Sequence, residues 1–207
     1  QKAPFNKFPF LKFYWLLIGF NSVSNIEVLQ DSYFKLKDLF FENSEIFQKV
    51  EQSWIITALH NCALSIYHKG KSKFVEEVFE IVKFSIERRI SIVQNQLEPS
   101  LFINIVQQGC ELNKLEWIQY FIEEYASLIT KEEREHAYNL SKAYFFCAKR
   151  NYQKTLYILR EIEFKHHQYD YLSKYLISRC YYEQSEENLL ISHLSSFEAF
   201  LRRHVKK

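Results

Sequence analysis

Glu133 and His136 are the pair in this 207-residue chain whose types and spacing suit metal chemistry. Residues three apart share one helix face, and a Glu-x-x-His motif on such a face supplies ligands to di-iron bundles. A di-iron centre also needs a second such pair and two further glutamates. Glu183, Glu186 and Glu187 have no histidine three residues later. We therefore expect no metal site, and interpret Glu133 as a charge on a solvated helix start.

Residues suited to a Cys-His nucleophile occur at His60 with Cys62 and at the pair His166 and His167. His60 and Cys62 are two residues apart, so a helix points their side chains in different directions. The histidine pair lies near a predicted helix end, where the helix dipole favours a structural imidazolium. Three glycines cannot build a phosphate-binding loop, and no H-E-x-x-H motif is present. We expect no catalytic residue, no cofactor and no enzymatic activity.

The four cysteines, Cys62, Cys110, Cys147 and Cys180, form no C-x-x-C pair, and each lies in an apolar helical stretch. This pattern is typical of small buried hydrophobic side chains in a reducing compartment, so we expect a cytoplasmic protein. The net charge is only +2, and acidic residues are interspersed among the basic ones. No nucleic-acid partner is therefore expected.

The elements that must position these residues are helices. The chain has only three glycines and three prolines, against 19 phenylalanines and 14 tyrosines. Helix breakers are thus scarce, and the large rings offer surface for helices to bury. No stretch alternates with period two between turn dipeptides, so we predict an all-α fold without a sheet. Codon bias towards AT-rich codons is an alternative explanation for part of the aromatic excess.

The first apolar run, over 8–20, predicts a helix that packs on the body of the protein. Lys12 interrupts the run, and the apolar piece that follows is too short to span a bilayer. A signal peptide is the alternative interpretation, since Lys2 and Lys7 precede the run. The chain begins at Gln1 and contains no methionine, so it is expected to be processed, a fragment of a longer protein, or incompletely transcribed.

Apolar side chains recurring at three- and four-residue steps predict nine further helices. Gly70 is expected to end one of them, and the loop over 94–100 contains Pro99. Thr130 followed by Glu133 predicts a capping box, and Ser44 is a candidate N-cap. The predicted helices lie at about 25–41, 46–68, 74–93, 101–110, 115–129, 131–148, 152–163, 169–182 and 186–203.

Helical hairpins in this order suggest a repeat. Leu140, Ser141 and Tyr144 match the Leu, small and Tyr positions of a first-helix pattern, and three weaker matches centre on Ala63, Val106 and Ser178. These four small positions are 43, 35 and 37 residues apart, whereas the tetratricopeptide period is ~34 residues. The chain therefore resembles a tetratricopeptide array, in degenerate form: the signature glycine and closing proline are missing. The alternative is an irregular multi-helix bundle.

The resemblance implies a right-handed superhelix of antiparallel helix hairpins whose concave groove binds a peptide. Asn61, Asn104 and Asn139 directly precede the Leu position of three hairpins, where the family's asparagines hydrogen-bond a bound peptide backbone. Lys142 and Arg179 fall in first helices and are expected to meet a carboxylate or other acidic group of that peptide.

These observations predict one all-helical domain over 1–207, with N-terminal helices over 1–45 packing on about four hairpins over 46–204. We expect a non-catalytic scaffold that binds a protein or peptide, without metal and without a membrane span. One alternative is a structural or dimerisation domain of a larger regulatory protein, with the run over 8–20 as the homodimer surface. A helical enzyme of unknown chemistry is a lesser alternative.

Overall fold

Ten α-helices, and no β-strand, make up the described part of a computed structural model, which covers residues 8–163 and 166–204. The all-α prediction is confirmed. A short 3-10 turn, Ala126–Leu128, follows the sixth helix. The helices are α1 (Pro9–Asn21), α2 (Ile26–Glu42), α3 (Lys49–His68), α4 (Phe74–Glu87), α5 (Pro99–Glu111), α6 (Leu115–Tyr125), α7 (Lys131–Ala148), α8 (Tyr152–Arg160), α9 (His167–Glu183) and α10 (Glu187–His204).

Several predicted helix starts are wrong in detail. Helix α3 begins three residues later than predicted, because the Gln48 backbone N–H donates to Glu51 Oε2 at 2.8 Å and makes Gln48 the N-cap. Ser44 is not a cap, and its hydroxyl donates to the Phe41 carbonyl. Pro99 is the first residue of α5 rather than part of the loop, which suits a residue that lacks an N–H.

Within residues 8–163 and 166–204, five helices end in the same sharp turn, in which one residue takes left-handed backbone. That residue is Gly70 after α3, with φ of 94°, and a residue other than glycine in the remaining cases. In each turn the next backbone N–H donates to the carbonyl five residues earlier, as from Lys114 to Gly109 at 2.8 Å, which is a Schellman motif. The non-glycine residues are Arg89, Asn113, Arg150 and Ser185. The chain therefore makes most of its hairpin turns without glycine.

The described chain divides into two compact units, Gln1–Val93 and Gln94–Lys207. In the first unit α1 packs on α2, α2 on α3, and α3 on α4. The hairpin of α3 and α4 thus belongs with the two N-terminal helices. The core of this unit is apolar and rich in rings, including the fully buried Phe13 and Phe40. Lys2 and Lys7 lie outside the described residues.

The second unit contains three successive hairpins, α5 with α6, α7 with α8, and α9 with α10. The first helices also contact one another, because α5 packs on α7 and α7 packs on α9. Trp117, Phe121 and Tyr125 of α6 stack at ring-centroid distances of 5.2 Å along their helix. Phe121 also packs on Phe102 of α5, with ring centroids 4.9 Å apart, so the ladder helps to hold the first hairpin together. Among the described helices, none combines the length and apolar character needed to cross a membrane.

Candidate functional site

A groove between α5, α7 and α9 is the candidate site of the second unit. Its cavity measures about 410 Å³. Side chains four residues apart put one face of each helix against it, which brings Gln107 and Glu111 of α5 opposite α9. The lining residues are Gln107, Cys110, Glu111, Tyr144, Cys147, Ala148, Arg150, Tyr152, Tyr171, Leu172, Tyr175, Arg179 and Glu183. We call this the α5–α7–α9 groove.

Tyr144 is the polar residue of the groove with an unmet hydrogen bond. Its side chain is only 7% exposed, and its Oη has no hydrogen-bond partner among the described residues. Burial raises the pKa of the phenol, and the neighbouring Gln107 side chain opposes that rise. The hydroxyl is therefore protonated at neutral pH and able to donate.

Arg179 brings positive charge to the same groove from an exposed position on α9. No ion pair of Arg179 is present in the described part of the chain. Its guanidinium lies near enough to act on the pKa values of the Cys110, Cys147 and Cys180 thiols. The charge is thus available to a ligand.

Two of the four cysteines, Cys110 and Cys147, line the groove, and Cys180 lies next to Cys147. Burial raises the pKa of Cys110 to about 12, which makes its thiol a poor nucleophile at neutral pH. The hydrogen bond between Cys147 and Cys180 lowers the pKa of Cys147 and raises that of Cys180. All four cysteines are free thiols, and Cys62, Cys147 and Cys180 are buried. Cys110 is only half-buried.

The structure brings one of the five predicted binding residues, Arg179, into this groove. Asn104 is exposed on α5, and Asn139 is half-buried on α7, but neither lines the cavity. Lys142 lies on α7 with its Nζ 5.0 Å from the Tyr138 ring centroid. Asn61 belongs to the first unit, where it borders a cavity of about 330 Å³ between α1 and α3.

Sequence reasoning missed most of the groove. The signal was a four-residue ladder on α9, where Tyr171, Tyr175, Arg179 and Glu183 share one face. Tyr144 was interpreted as a packing residue of the repeat and not as a donor. A polar ladder on one helix becomes a groove only when a second helix supplies the opposite wall.

A second polar cluster joins α7 to the start of α9. Glu133 Oε1 lies 2.7 Å from His166 Nε2. Burial opposes ionisation of Glu133, but hydrogen bonds from His166 and Tyr169 outweigh it, and the pKa of Glu133 is lowered. Thr130 is the N-cap of α7 but makes no side-chain capping bond, so the capping-box prediction is wrong. Within the described residues, no group of three or more His, Cys, Asp or Glu side chains is placed to hold a metal ion.

The outer face of α1 is the notable apolar surface of the first unit. Phe13 and Phe20 are buried on the inner face. Phe8, Leu11, Trp15 and Ile18 follow one another at steps of three and four residues and are exposed, Trp15 by 57% and Ile18 by 64%. A helix with apolar side chains on both faces normally has both faces buried against other parts of a protein or against a partner.

Comparison with known proteins found no relative: no family model, no curated protein and no solved structure matches the chain. The functional argument therefore rests on the contacts of this molecule alone.

Proposed function

We propose that this chain is a non-catalytic scaffold that binds a peptide or protein segment in the α5–α7–α9 groove. The observation that carries the proposal is the groove itself, in which the first helices of three successive hairpins border one open cavity. Its volume of about 410 Å³ falls within the ~300–1,000 Å³ typical of ligand sites. Tyrosine walls and a few polar groups suit an extended peptide, which presents both apolar side chains and backbone amides.

The turns support a repeat interpretation. The left-handed residues Asn113, Arg150 and Ser185 close the three hairpins of the second unit at intervals of 37 and 35 residues. These intervals are close to the tetratricopeptide period of ~34 residues. Two of the predicted small positions in these hairpins, Val106 and Ser141, are fully buried. We infer that the hairpins stack as a right-handed superhelix with the groove on its concave side.

The predicted asparagines take a secondary part in this proposal. Asn104 and Asn139 lie on α5 and α7, two of the three first helices that border the groove, at positions open enough to reach a ligand. Each amide can donate to and accept from a peptide backbone. Lys142, on the same helix as Asn139, is proposed to add charge at that end. Asn61 stands apart on α3, so its contribution is tested by itself.

The test is selection from a random peptide display library against the purified chain. Peptides selected on the wild type should bind it in solution and should lose most of their affinity for the Tyr175→Ala variant. The matched control is Tyr157→Ala, which removes an exposed tyrosine of α8 that does not line the groove. The affinities of the single variants Asn61→Ala, Asn104→Ala and Asn139→Ala for the same peptides then measure how much each asparagine contributes to binding. A library that yields no binder, or binders unaffected by Tyr175→Ala, overturns the proposal.

A second candidate function, dimerisation, is favoured by the outer face of α1. The exposed side chains at 8, 11, 15 and 18 have the three-and-four spacing of a helix that packs along a second helix. The double variant Trp15→Glu and Ile18→Glu should convert a dimer into a monomer in sedimentation velocity. Val50→Glu, at an exposed valine outside this face, serves as the control. A wild-type monomer at high concentration removes this candidate.

A further inference from the structure

The Tyr144 hydroxyl demands an acceptor that the described protein groups do not provide. A buried polar group left without a partner is less stable than one that makes a hydrogen bond. The side chain borders the groove, so the acceptor can come from a molecule that enters it. Gln107 lines the same cavity and carries an amide N–H₂, which is a second donor group beside Tyr144.

Arg179 places a full positive charge on the opposite wall of the same groove. Tyr144, Cys147 and Arg179 all line the one cavity. A group that occupies this space therefore meets a phenol donor, an amide donor and a guanidinium. Those are the partners that stabilise an anionic oxygen pair.

The charge balance of the groove selects the kind of anion. Arg150 and Arg179 line the groove together with Glu111 and Glu183, so the formal charges cancel. Glu183 already accepts from the Tyr152 hydroxyl at 3.4 Å. Because the groove carries no net positive charge, it accommodates a singly charged carboxylate paired with one guanidinium, such as that of Arg179, better than a doubly charged phosphate.

We propose that the α5–α7–α9 groove anchors the carboxylate of a bound peptide between Tyr144, Gln107 and Arg179. This inference rests on the proposed peptide-binding function and specifies its chemistry. The rings of Tyr171 and Tyr175 border the neighbouring space and contact the residues next to that carboxylate. The carboxylate comes from the peptide's C-terminus or from an Asp or Glu side chain, and both sources present the same pair of oxygens.

The experiment uses three synthetic pools of random pentapeptides. One pool lacks Asp and Glu and ends in a free carboxylate. The second has the same sequences but ends in a carboxamide. The third is amidated and carries one Asp or Glu. Binding of each pool to the ¹⁵N-labelled chain is followed by the NMR shifts of Tyr144 and Arg179. At least one carboxylate-bearing pool should bind, and the neutral amidated pool should bind about tenfold more weakly or less.

Substitutions test whether binding depends on the carboxylate contacts or only on the groove as a whole. Tyr144→Phe keeps the ring and removes only the hydroxyl, and Arg179→Gln removes the positive charge but keeps a polar side chain. Each should weaken binding of the carboxylate pool about tenfold. Lys131→Gln removes an equal charge outside the groove and should leave binding unchanged. The circular dichroism of each variant checks that it is folded.

Each outcome has one meaning. Preference for the C-terminal acid pool or for the Asp and Glu pool supports the anchor and identifies its source. Equal binding of the acid and neutral pools, lost in Tyr175→Ala but kept in Arg179→Gln, overturns the anchor and leaves the groove as a peptide site. Binding of no pool, or binding that no groove variant changes, overturns both the anchor and the proposed function.

Discussion

The core of the first unit and the groove of the second unit use aromatic rings in opposite ways. In the first unit, rings close the space between helices, as where Tyr14 stacks on Trp54 with centroids 4.3 Å apart. In the second, Tyr144, Tyr171 and Tyr175 border an open groove. A high aromatic content therefore does not mark a binding surface by itself. A ring can contact a ligand only if it lines an open cavity and is not packed between helices.

The same contrast holds for buried hydroxyls. Tyr33 in the first unit is fully buried, and its Oη donates to Glu77 Oε2 at 2.9 Å. Lys37 pairs with the same carboxylate. Burial and the Glu77 charge both raise the pKa of Tyr33. Tyr144 has similar burial without a partner. The Tyr33 hydroxyl therefore stabilises the fold, whereas the Tyr144 hydroxyl is available to bind a ligand.

The largest difference in stability loss between the two units is expected when one leucine in each is replaced by alanine. Leu59→Ala, in the closed core of the first unit, should lower the free energy of unfolding by about 3 kcal/mol, because the cavity it leaves cannot refill. Leu172→Ala, at the half-buried edge of the groove, should lower it by about 1 kcal/mol. Urea unfolding followed by circular dichroism measures both. Equal losses would mean that the groove is as closed as the core.

Removing the hydroxyl should destabilise the protein at Tyr33 but not at Tyr144. Tyr33→Phe breaks a buried hydrogen bond to a carboxylate and should reduce stability by about 1.5–3 kcal/mol. Tyr144→Phe removes an unpartnered group and should leave stability unchanged or raise it by up to about 1 kcal/mol. Thermal unfolding of the two variants beside wild type gives the comparison. A clear loss in Tyr144→Phe would show that this hydroxyl has a partner in the folded chain.

The hairpin turns offer a smaller test that spans both units. Gly70→Ala should destabilise the first unit by about 1 kcal/mol, because alanine is strained at its φ of 94°. Arg150→Gly should stabilise the second unit by a similar amount, about 1 kcal/mol, since glycine relieves the left-handed strain. Chemical denaturation measures both shifts. A destabilising Arg150→Gly would indicate that the arginine side chain makes contacts that exceed its backbone strain.

The smallest expected effect concerns Glu133 and pH. Because its pKa is lowered in the folded chain, Glu133 contributes stability above the unfolded pKa of about 4.3, and this is lost as pH falls through the folded value. Glu133→Gln should therefore be less stable than wild type by under about 1 kcal/mol at pH 6. The two proteins should converge at pH 3. A constant difference across that range would remove the electrostatic explanation.

Local features were the ones that the sequence predicted well. The apolar steps of α2 and α7 placed those helices to within about a residue, and Gly70 was correctly expected at the end of α3. Helix α4 ends six residues before its predicted limit, because Arg89 adopts left-handed backbone. No sequence rule favours arginine at such a position over glycine. The predicted peptide-binding residues remain predictions, and Arg179 is the one that lines the groove.

By itself, the sequence determined that this protein is helical, because helix formation depends on neighbours within four residues and on the scarcity of glycine and proline. Tertiary structure decided which side chains of different helices come together. Gln107, Tyr144 and Arg179 are more than thirty residues apart along the chain, and only the packing of α5, α7 and α9 brings them to one groove. The same packing pairs Glu133 with His166 instead of with the N-terminus of its own helix. Contacts between distant residues depend on packing geometry, which local patterns do not encode.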